Sequence, residues 1–263
     1  MTAPLLSLIT VHWNDAEGLA RTVASLRQTE GHAEVECVLV DGGSPDSALT
    51  SARTFYLPEC LISEPDRGIY EAMNKGLRRA RGRYCLWVNA GDELLPGVLP
   101  RLLAHLAASS ADLVSGGTRI ASPDGAFPTY LWCGDARGFA HGALPHPSTC
   151  VAREAAIALG GYDERYPIAA DRDLMIRLHR RGATFQAIDT TIAGFTTGGV
   201  SSTPRAWLED IRLQRTHGLI GPVEAGIRRL KYLVLLLPGV APVLHARSHR
   251  RAGRNSAAHG TAG

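Results

Sequence analysis

Four runs, 5–11 (LLSLITV), 35–40 (VECVLV), 60–63 (CLIS) and 84–88 (YCLWV), read as strands, and helix-patterned segments separate them. The third run is the weakest of the four. A strand apolar on both faces must be covered on both faces, which is the condition of a parallel sheet inside a layer of helices. The spacing predicts a helix over 17–28, where Leu19, Val23 and Leu26 recur at helical intervals, and further helices over 45–55 and 68–80. The pattern implies an α/β fold with a doubly wound, mostly parallel sheet and helices on both faces. Such sheets bind ligands beyond the carboxyl ends of their strands. That directs attention to four polar stretches, namely His12–Asp15, Asp41–Ser44, Glu64–Gly68 and Asn89–Asp92.

The second half is less regular. Helices are expected over 99–108, 153–159, 174–181 and 207–217, and strands over 112–120 and 184–188. Residues 121–145, rich in Gly, Pro and aromatics, read as loops or short strands. From Gly221 the character changes. A helix over 223–237 carries Arg228, Arg229 and Lys231 before an apolar end (KYLVLLL), and 246–263 is small, basic and polar, as expected of a disordered terminus. The expected organisation is a domain over 1–220, with halves 1–95 and 96–220, and a basic C-terminal extension over 221–263.

Charge follows the same division. The formal net charge is +3, but residues 1–220 sum to −3 and residues 221–263 to +6. A mildly acidic body argues against a nucleic-acid surface. A basic, amphipathic 222–254 fits an anionic membrane surface, although packing of the helix on the body is an equal reading. The N-terminus lacks the basic region of a signal peptide, and no run reaches 18 apolar residues. Five cysteines without a C-x-x-C pair suggest buried free thiols in a reducing compartment. The expected location is the cytoplasm, with the inner membrane face as an extension of that reading.

Residue chemistry suggests roles. Asp41 ends a buried-type strand before Gly42-Gly43-Ser44, where a carboxylate can accept the imide N–H of a pyrimidine; a plain N-capping turn is the competing reading. Asp66 can bind a nucleoside and Arg67 a phosphate, through its planar fork; an N-cap with a surface Arg competes. His146 lies in His-Pro-Ser, where a loop histidine is the plainer reading and a metal ligand the sharper one. Gly198-Gly199-Val200-Ser201-Ser202 suits a mobile loop with Ser201 as a hydrogen-bond donor, or an ordinary linker. Tyr130, Trp132, Phe139, Tyr162 and Tyr166 fall in the second half; sugar rings stack well on aromatic faces, and most of the five read as core.

The ordered stretches 63–94 (SEPDRGIYEAMNKGLRRARGRYCLWVNAGDEL), 144–185 and 193–202 resemble glycosyltransferase family 2, in its bacterial polysaccharide and glycolipid branch. The resemblance spans about 5–202. It implies a GT-A fold and an inverting glycosyltransferase using a nucleotide-diphospho-sugar, with a UDP-sugar favoured. It also implies Mg2+ or Mn2+, and a glycan, glycolipid or lipid-linked acceptor. On the family pattern, Thr10 and Asn14 line the nucleoside pocket, Asn74 faces the donor, and Asp171 is the general base. Lys75 and Asp173 are expected to be solvated or helix-capping.

One motif departs from the pattern. Where the family commonly carries Asp-x-Asp-Asp, this chain reads Asn89-Ala90-Gly91-Asp92. Asp92 keeps a charge for the metal, and Asn89 offers an amide oxygen at the donor. The reduction raises a second reading, a non-catalytic glycosyltransferase-like binding protein. A sugar nucleotidyltransferase is a third, weakened because LITVHWND lacks a Gly-rich basic loop.

Overall fold

The computed structural model describes residues 3–31, 34–122, 129–199, 201 and 203–235. The expected disordered stretch 246–263, and 236–254 of the expected membrane-facing stretch, lie outside the described residues. The chain divides into two compact units, 1–198 and 199–263.

The first unit opens with β1 (Leu6–His12), α1 (Ala16–Gln28), β2 (Glu36–Asp41), α2 (Thr50–Arg53), β3 (Leu61–Ser63), α3 (Ile69–Arg79) and β4 (Tyr84–Trp87). It continues with β5 (Glu93–Leu94), α4 (Val98–Ala108), β6 (Leu113–Ala121), β7 (Tyr130–Cys133), α5 (Ala136–Ala140), β8 (Thr149–Ala152), α6 (Arg153–Ala158), α7 (Ala170–Arg180) and β9 (Phe185–Thr196). The sheet order is β3-β2-β1-β4-β8-β6-β9-β5, with β7 on β6. Pairing is parallel across β3–β2–β1–β4 and between β6 and β9; it is antiparallel where β8, β5 and β7 join. This is the expected α/β architecture.

Burial follows the sequence pattern. All seven residues of β1 are buried, and Leu19, Val23 and Leu26 of α1 join Leu6, Leu8, Leu39, Leu86 and Leu102 in one core. Each such side chain contributes about 1.5–3 kcal/mol by leaving water. α1 starts where it does because the Asp15 side chain accepts the Gly18 N–H at 2.8 Å. α3 lies close on β1 because Gly76 has no side chain; a Cβ there would stand 2.5 Å from Ile9 Cγ2.

Several elements differ from expectation. The segment 45–55 is a 3-10 turn followed by the four-residue α2. α7 begins at Ala170, four residues before its apolar periodicity, with Asp171 and Asp173 in the first turn facing the helix's positive end. β9 runs on to Thr196 because pairing with β6 and β5 carries it through polar Asp189, Thr190 and Thr191. β5, β7, β8 and α5 are short and owe their existence to pairing and packing. Cys133 is exposed and Cys37 partly so; Cys60, Cys85 and Cys150 are buried, and all five are free thiols.

The second unit contains α8 (Pro204–Thr216) and α9 (Pro222–Leu235). Its compact boundary falls at Gly198–Gly199, so α8 groups with α9 and not with the preceding sheet. Ile211, Ile220 and Ala225 form its core with Tyr232 against them, and Trp207 stacks on Tyr232 at 4.8 Å between centroids. α9 leaves Val223, Ile227, Leu230 and Leu233 exposed.

Candidate active site

The carboxyl ends of β1, β2 and β3 form the first part of the site. Asp41 closes β2 in full burial. Its Oδ1 pairs with His12 Nδ1 at 2.9 Å, and its Oδ2 accepts from Gly43 N, Ser44 N and Ser63 Oγ at 3.2, 3.0 and 2.7 Å. Burial alone would raise this carboxyl; the bonds from Ser44, Ser63 and His12 outweigh it and hold the group below its ordinary value. The acceptor capacity of Asp41 is thus already taken up by protein donors. Of these donors, Ser63 belongs to an exposed residue.

Asn14 is exposed at φ +50°, a left-handed conformation that Asn tolerates, and its N–H donates to Ser44 Oγ at 2.8 Å. Asp66 caps the next turn, accepting the Gly68 N–H at 2.9 Å, and burial raises its carboxyl. A Cβ on Gly42 would stand 2.6 Å from Asp66 Oδ2 and 3.2 Å from Trp13 Cδ1, so the glycine lets all three meet. The Trp13 indole is 68% exposed there. Composition and pattern did not single out Trp13; a large aromatic directly after a buried strand, beside polar Asn14 and Asp15, was the available signal.

Three of the residues expected at the donor are engaged within the chain. Thr10 is buried in the core and accepts from the Tyr56 hydroxyl at 2.8 Å, so it lines no open pocket. Asn74 is buried and spent on the chain: Oδ1 accepts Tyr162 N–H at 2.8 Å, while Nδ2 donates to Tyr162 O and Glu164 Oε1 at 2.9 and 3.1 Å. Arg67 is ion-paired to Glu71 and Glu164 at 2.7 and 2.8 Å. Lys75, expected in solvent, bonds Pro65 O and Glu64 Oε1, both at 2.9 Å. Asp173 is buried against Arg177, which also holds Leu159 O and Gly161 O and so ties α7 to the preceding turn.

The end of β4 forms the second part. Asp92 is buried, and burial pushes its carboxyl up to about 7, although the Asn89 N–H bonds it at 3.2 Å. Thr22 Oγ1 fixes the turn from below, donating to Asp92 O at 2.7 Å and accepting the Gly91 N–H at 3.0 Å. Asn89 Oδ1 and Trp87 Nε1 are buried with no protein partner. Among the described residues no three His, Cys, Asp or Glu side chains gather as a metal cluster. An orphaned amide oxygen three residues from a carboxylate still fits a hard cation that completes its shell on phosphate oxygens. His146 fits less well. It is packed on Trp87 at 5.6 Å between centroids, its Nε2 meets Tyr162 OH at 3.0 Å, and burial lowers the imidazole's pKa.

The third part is Asp171, half-buried in the first turn of α7. The Tyr70 hydroxyl, from α3, lies 3.0 Å from Asp171 Oδ1 and 2.7 Å from Ile168 O. Tyr70 packs on Tyr162 at 5.4 Å between centroids, the rings tilted by 31°, and Tyr162 meets Trp87 edge-on at 5.2 Å. These rings form a continuous wall from Asp171 to Trp87 at the end of β4. Ser201 belongs to the second unit and is exposed.

Residues 7–144 match the profile of Glycosyl transferase family 2. An uncharacterized glycosyltransferase of Mycobacterium tuberculosis is 30% identical over 256 residues, covering 89% of this chain and 91% of its own. The chain belongs to glycosyltransferase family 2. A PGL/p-HBAD biosynthesis glycosyltransferase of Mycobacterium bovis is 33% identical over 216 residues, covering 77% and 81%. Membership in glycosyltransferase family 2 makes this chain a transferase. Its GT-A fold is shared with S. aureus TarS in complex with UDP-GlcNAc (TM-score 0.64, 17% identity, 87% and 71% of the chains). It is shared as well with the mannosyltransferase PcManGT of Pyrobaculum calidifontis in complex with GDP-Man and Mn2+ (TM-score 0.61, 16% identity, 100% and 77%).

Proposed function

We propose that this family 2 glycosyltransferase moves a sugar from a nucleotide-diphospho-sugar to a hydroxyl of a glycan, glycolipid or lipid-linked acceptor, with inversion. The observation that carries the reading is the ring wall Tyr70–Tyr162–Trp87, which joins the Asp171 carboxylate to the Asn89–Asp92 turn. Transfer by inversion requires a base and a leaving diphosphate on opposite faces of the anomeric carbon, and Asp171 and the Asn89–Asp92 turn are proposed for those two places. Relatives named as glycosyltransferases and similar folds solved in complex with UDP-GlcNAc and GDP-Man support the donor class.

In this reading Trp13 offers a stacking face for the base. Asn14 and Asp66 flank it, and Asp41 accepts the base N–H in exchange for the Ser63 hydroxyl. A UDP-sugar is the favoured donor. Asn89 and Asp92 would hold a divalent cation, which when bound neutralises diphosphate charge. Trp87 Nε1, an unpartnered buried donor, is suited to a donor oxygen. Ser201 is the proposed donor from the loop that follows the sheet.

Asp171 takes the proton of the acceptor hydroxyl while that oxygen attacks the anomeric carbon. The bond from that carbon to the diphosphate breaks on the opposite face, and its electron pair leaves with the nucleoside diphosphate. Tyr130 and Trp132, exposed two residues apart on β7 and hence on one face, suit stacking on acceptor sugars.

The second unit supports work at a lipid surface. Val223, Ile227 and Leu230 recur at four- and three-residue intervals and are exposed, with Arg229 and Lys231 between and beside them. No described helix is long and apolar enough to cross a membrane, so the contact proposed is with the surface of an anionic bilayer.

The deciding experiment is a thermal-shift panel of UDP-, GDP- and dTDP-sugars, each with and without Mn2+. One nucleotide series should stabilise the protein, more so with metal. A flat panel would favour the non-catalytic reading that the shortened metal motif allows.

A further inference from the structure

Tyr70 presents one hydroxyl to two acceptors, Ile168 O at 2.7 Å and Asp171 Oδ1 at 3.0 Å. A phenol has one proton to give. When Asp171 is ionised, a charge-assisted bond draws that proton toward the carboxylate. When Asp171 is protonated, its own O–H can donate to the phenol oxygen, and the phenol proton turns to Ile168 O. Both charge states of the carboxyl are therefore hydrogen-bonded, with the side chain in the same place.

We infer that Tyr70 is the positioning residue for the base, holding the Asp171 carboxylate before it accepts a proton and holding the carboxylic acid afterwards. The inference rests on the reading of Asp171 as base. No O–H bond of Tyr70 breaks; the acceptor's proton ends on Asp171 and leaves to water after turnover. The phenol suits this task because it is buried, and burial together with the Asp171 charge raises its pKa well above the ordinary range, so it stays a donor. Its ring is fixed by Tyr162, and its helix by Met73 and Leu77 in the core. The Asp171 charge is felt by Tyr70 from α3, by Tyr162 from the turn before α7, and by His146. On α7 itself, Arg172 bonds His141 O and Asp173 pairs with Arg177.

The test measures donor turnover by the full chain, read as hydrolysis of UDP-GlcNAc or GDP-mannose with Mn2+. Tyr70→Phe keeps the ring and removes only the hydroxyl; turnover should fall about tenfold while the donor KM stays within about twofold. Placing 3-fluorotyrosine at 70 keeps the hydroxyl and the fold, and should hold turnover within about twofold of the unaltered enzyme. Turnover unchanged in Tyr70→Phe, or lost equally with 3-fluorotyrosine, overturns the inference. If Asp171→Asn keeps full turnover, the base assignment fails whatever Tyr70→Phe gives. If Asp171→Asn abolishes turnover while Tyr70→Phe keeps it, the positioning role alone fails.

Discussion

The imidazole of His12 is held between Asp41 and the start of α1: Nδ1 lies 2.9 Å from Asp41 Oδ1, and Nε2 accepts the Asp15 N–H at 3.1 Å. The second bond requires a bare Nε2, so the proton is on Nδ1 and is donated to Asp41. Two strand ends that line the proposed nucleoside pocket are thereby locked to each other, and His12 is a contributor that residue typing alone passed over.

Replacing His12 with Ala leaves a buried carboxylate and a loop amide without a partner. A loss of about 1–3 kcal/mol in unfolding free energy is expected from chemical denaturation. Because Asp41 lies below its ordinary value, its contribution is complete above about pH 4 and fades as pH falls through the folded value. The variant should lose that acid-side slope in part; an unchanged slope and stability would show that the pair contributes nothing.

Asp171→Asn keeps size and polarity but removes the proton acceptor. Nucleotide-sugar affinity, read by calorimetry, should stay within about threefold, and turnover should fall by roughly 10²–10⁴. Normal turnover would remove Asp171 from the chemistry.

Asp92 ties metal binding to pH. Its carboxyl is raised to about 7, so Mn2+-dependent donor binding should strengthen as pH rises through 7, where the ligand ionises. Stability of the metal-free protein should run the other way. The folded state binds the extra proton between about pH 4 and 7, so the contribution of Asp92 is most favourable below that window and declines across it. Asp92→Asn removes the penalty and should raise the metal-free melting midpoint at pH 8 by on the order of 5 °C, while weakening the Mn2+ effect. A variant with unaltered metal dependence would place the ligand elsewhere.

Ile227→Asp with Leu230→Asp changes two exposed positions of α9 and leaves Ile211, Ile220 and Ala225 untouched. Co-sedimentation with phosphatidylglycerol vesicles should drop at least tenfold, with donor turnover in solution unchanged. Equal sedimentation would discard the lipid surface as partner of this helix.

Much of this was legible beforehand. The four apolar runs become β1–β4 within a residue or two at each end, since a strand buried on both faces reads as a continuous apolar run bounded by polar turns. Asp41, Asp66, Asn89 and Asp92 do stand at carboxyl ends of strands or just after them. The partners of Thr10 and Asn74 were not legible, because matching positions name a residue type and not what it bonds. Trp13, Tyr70 and Trp87 drew no assignment because an aromatic in sequence has no direction.

By itself, the sequence determined the alternation of buried strands and helices, the polar residues at the strand ends, the family, and the separation of an acidic body from a basic tail. These are local properties, written in period, composition and order. Tertiary structure alone decided which of those polar groups are already spent. Asn74 lies 88 residues from Tyr162 and Tyr70 lies 101 from Asp171, so no spacing rule predicts that the first pair closes a turn and the second holds a carboxylate. Hydrogen bonding saturates: a donor or acceptor engaged inside the fold is no longer offered to a ligand, and only packing in three dimensions settles which groups those are.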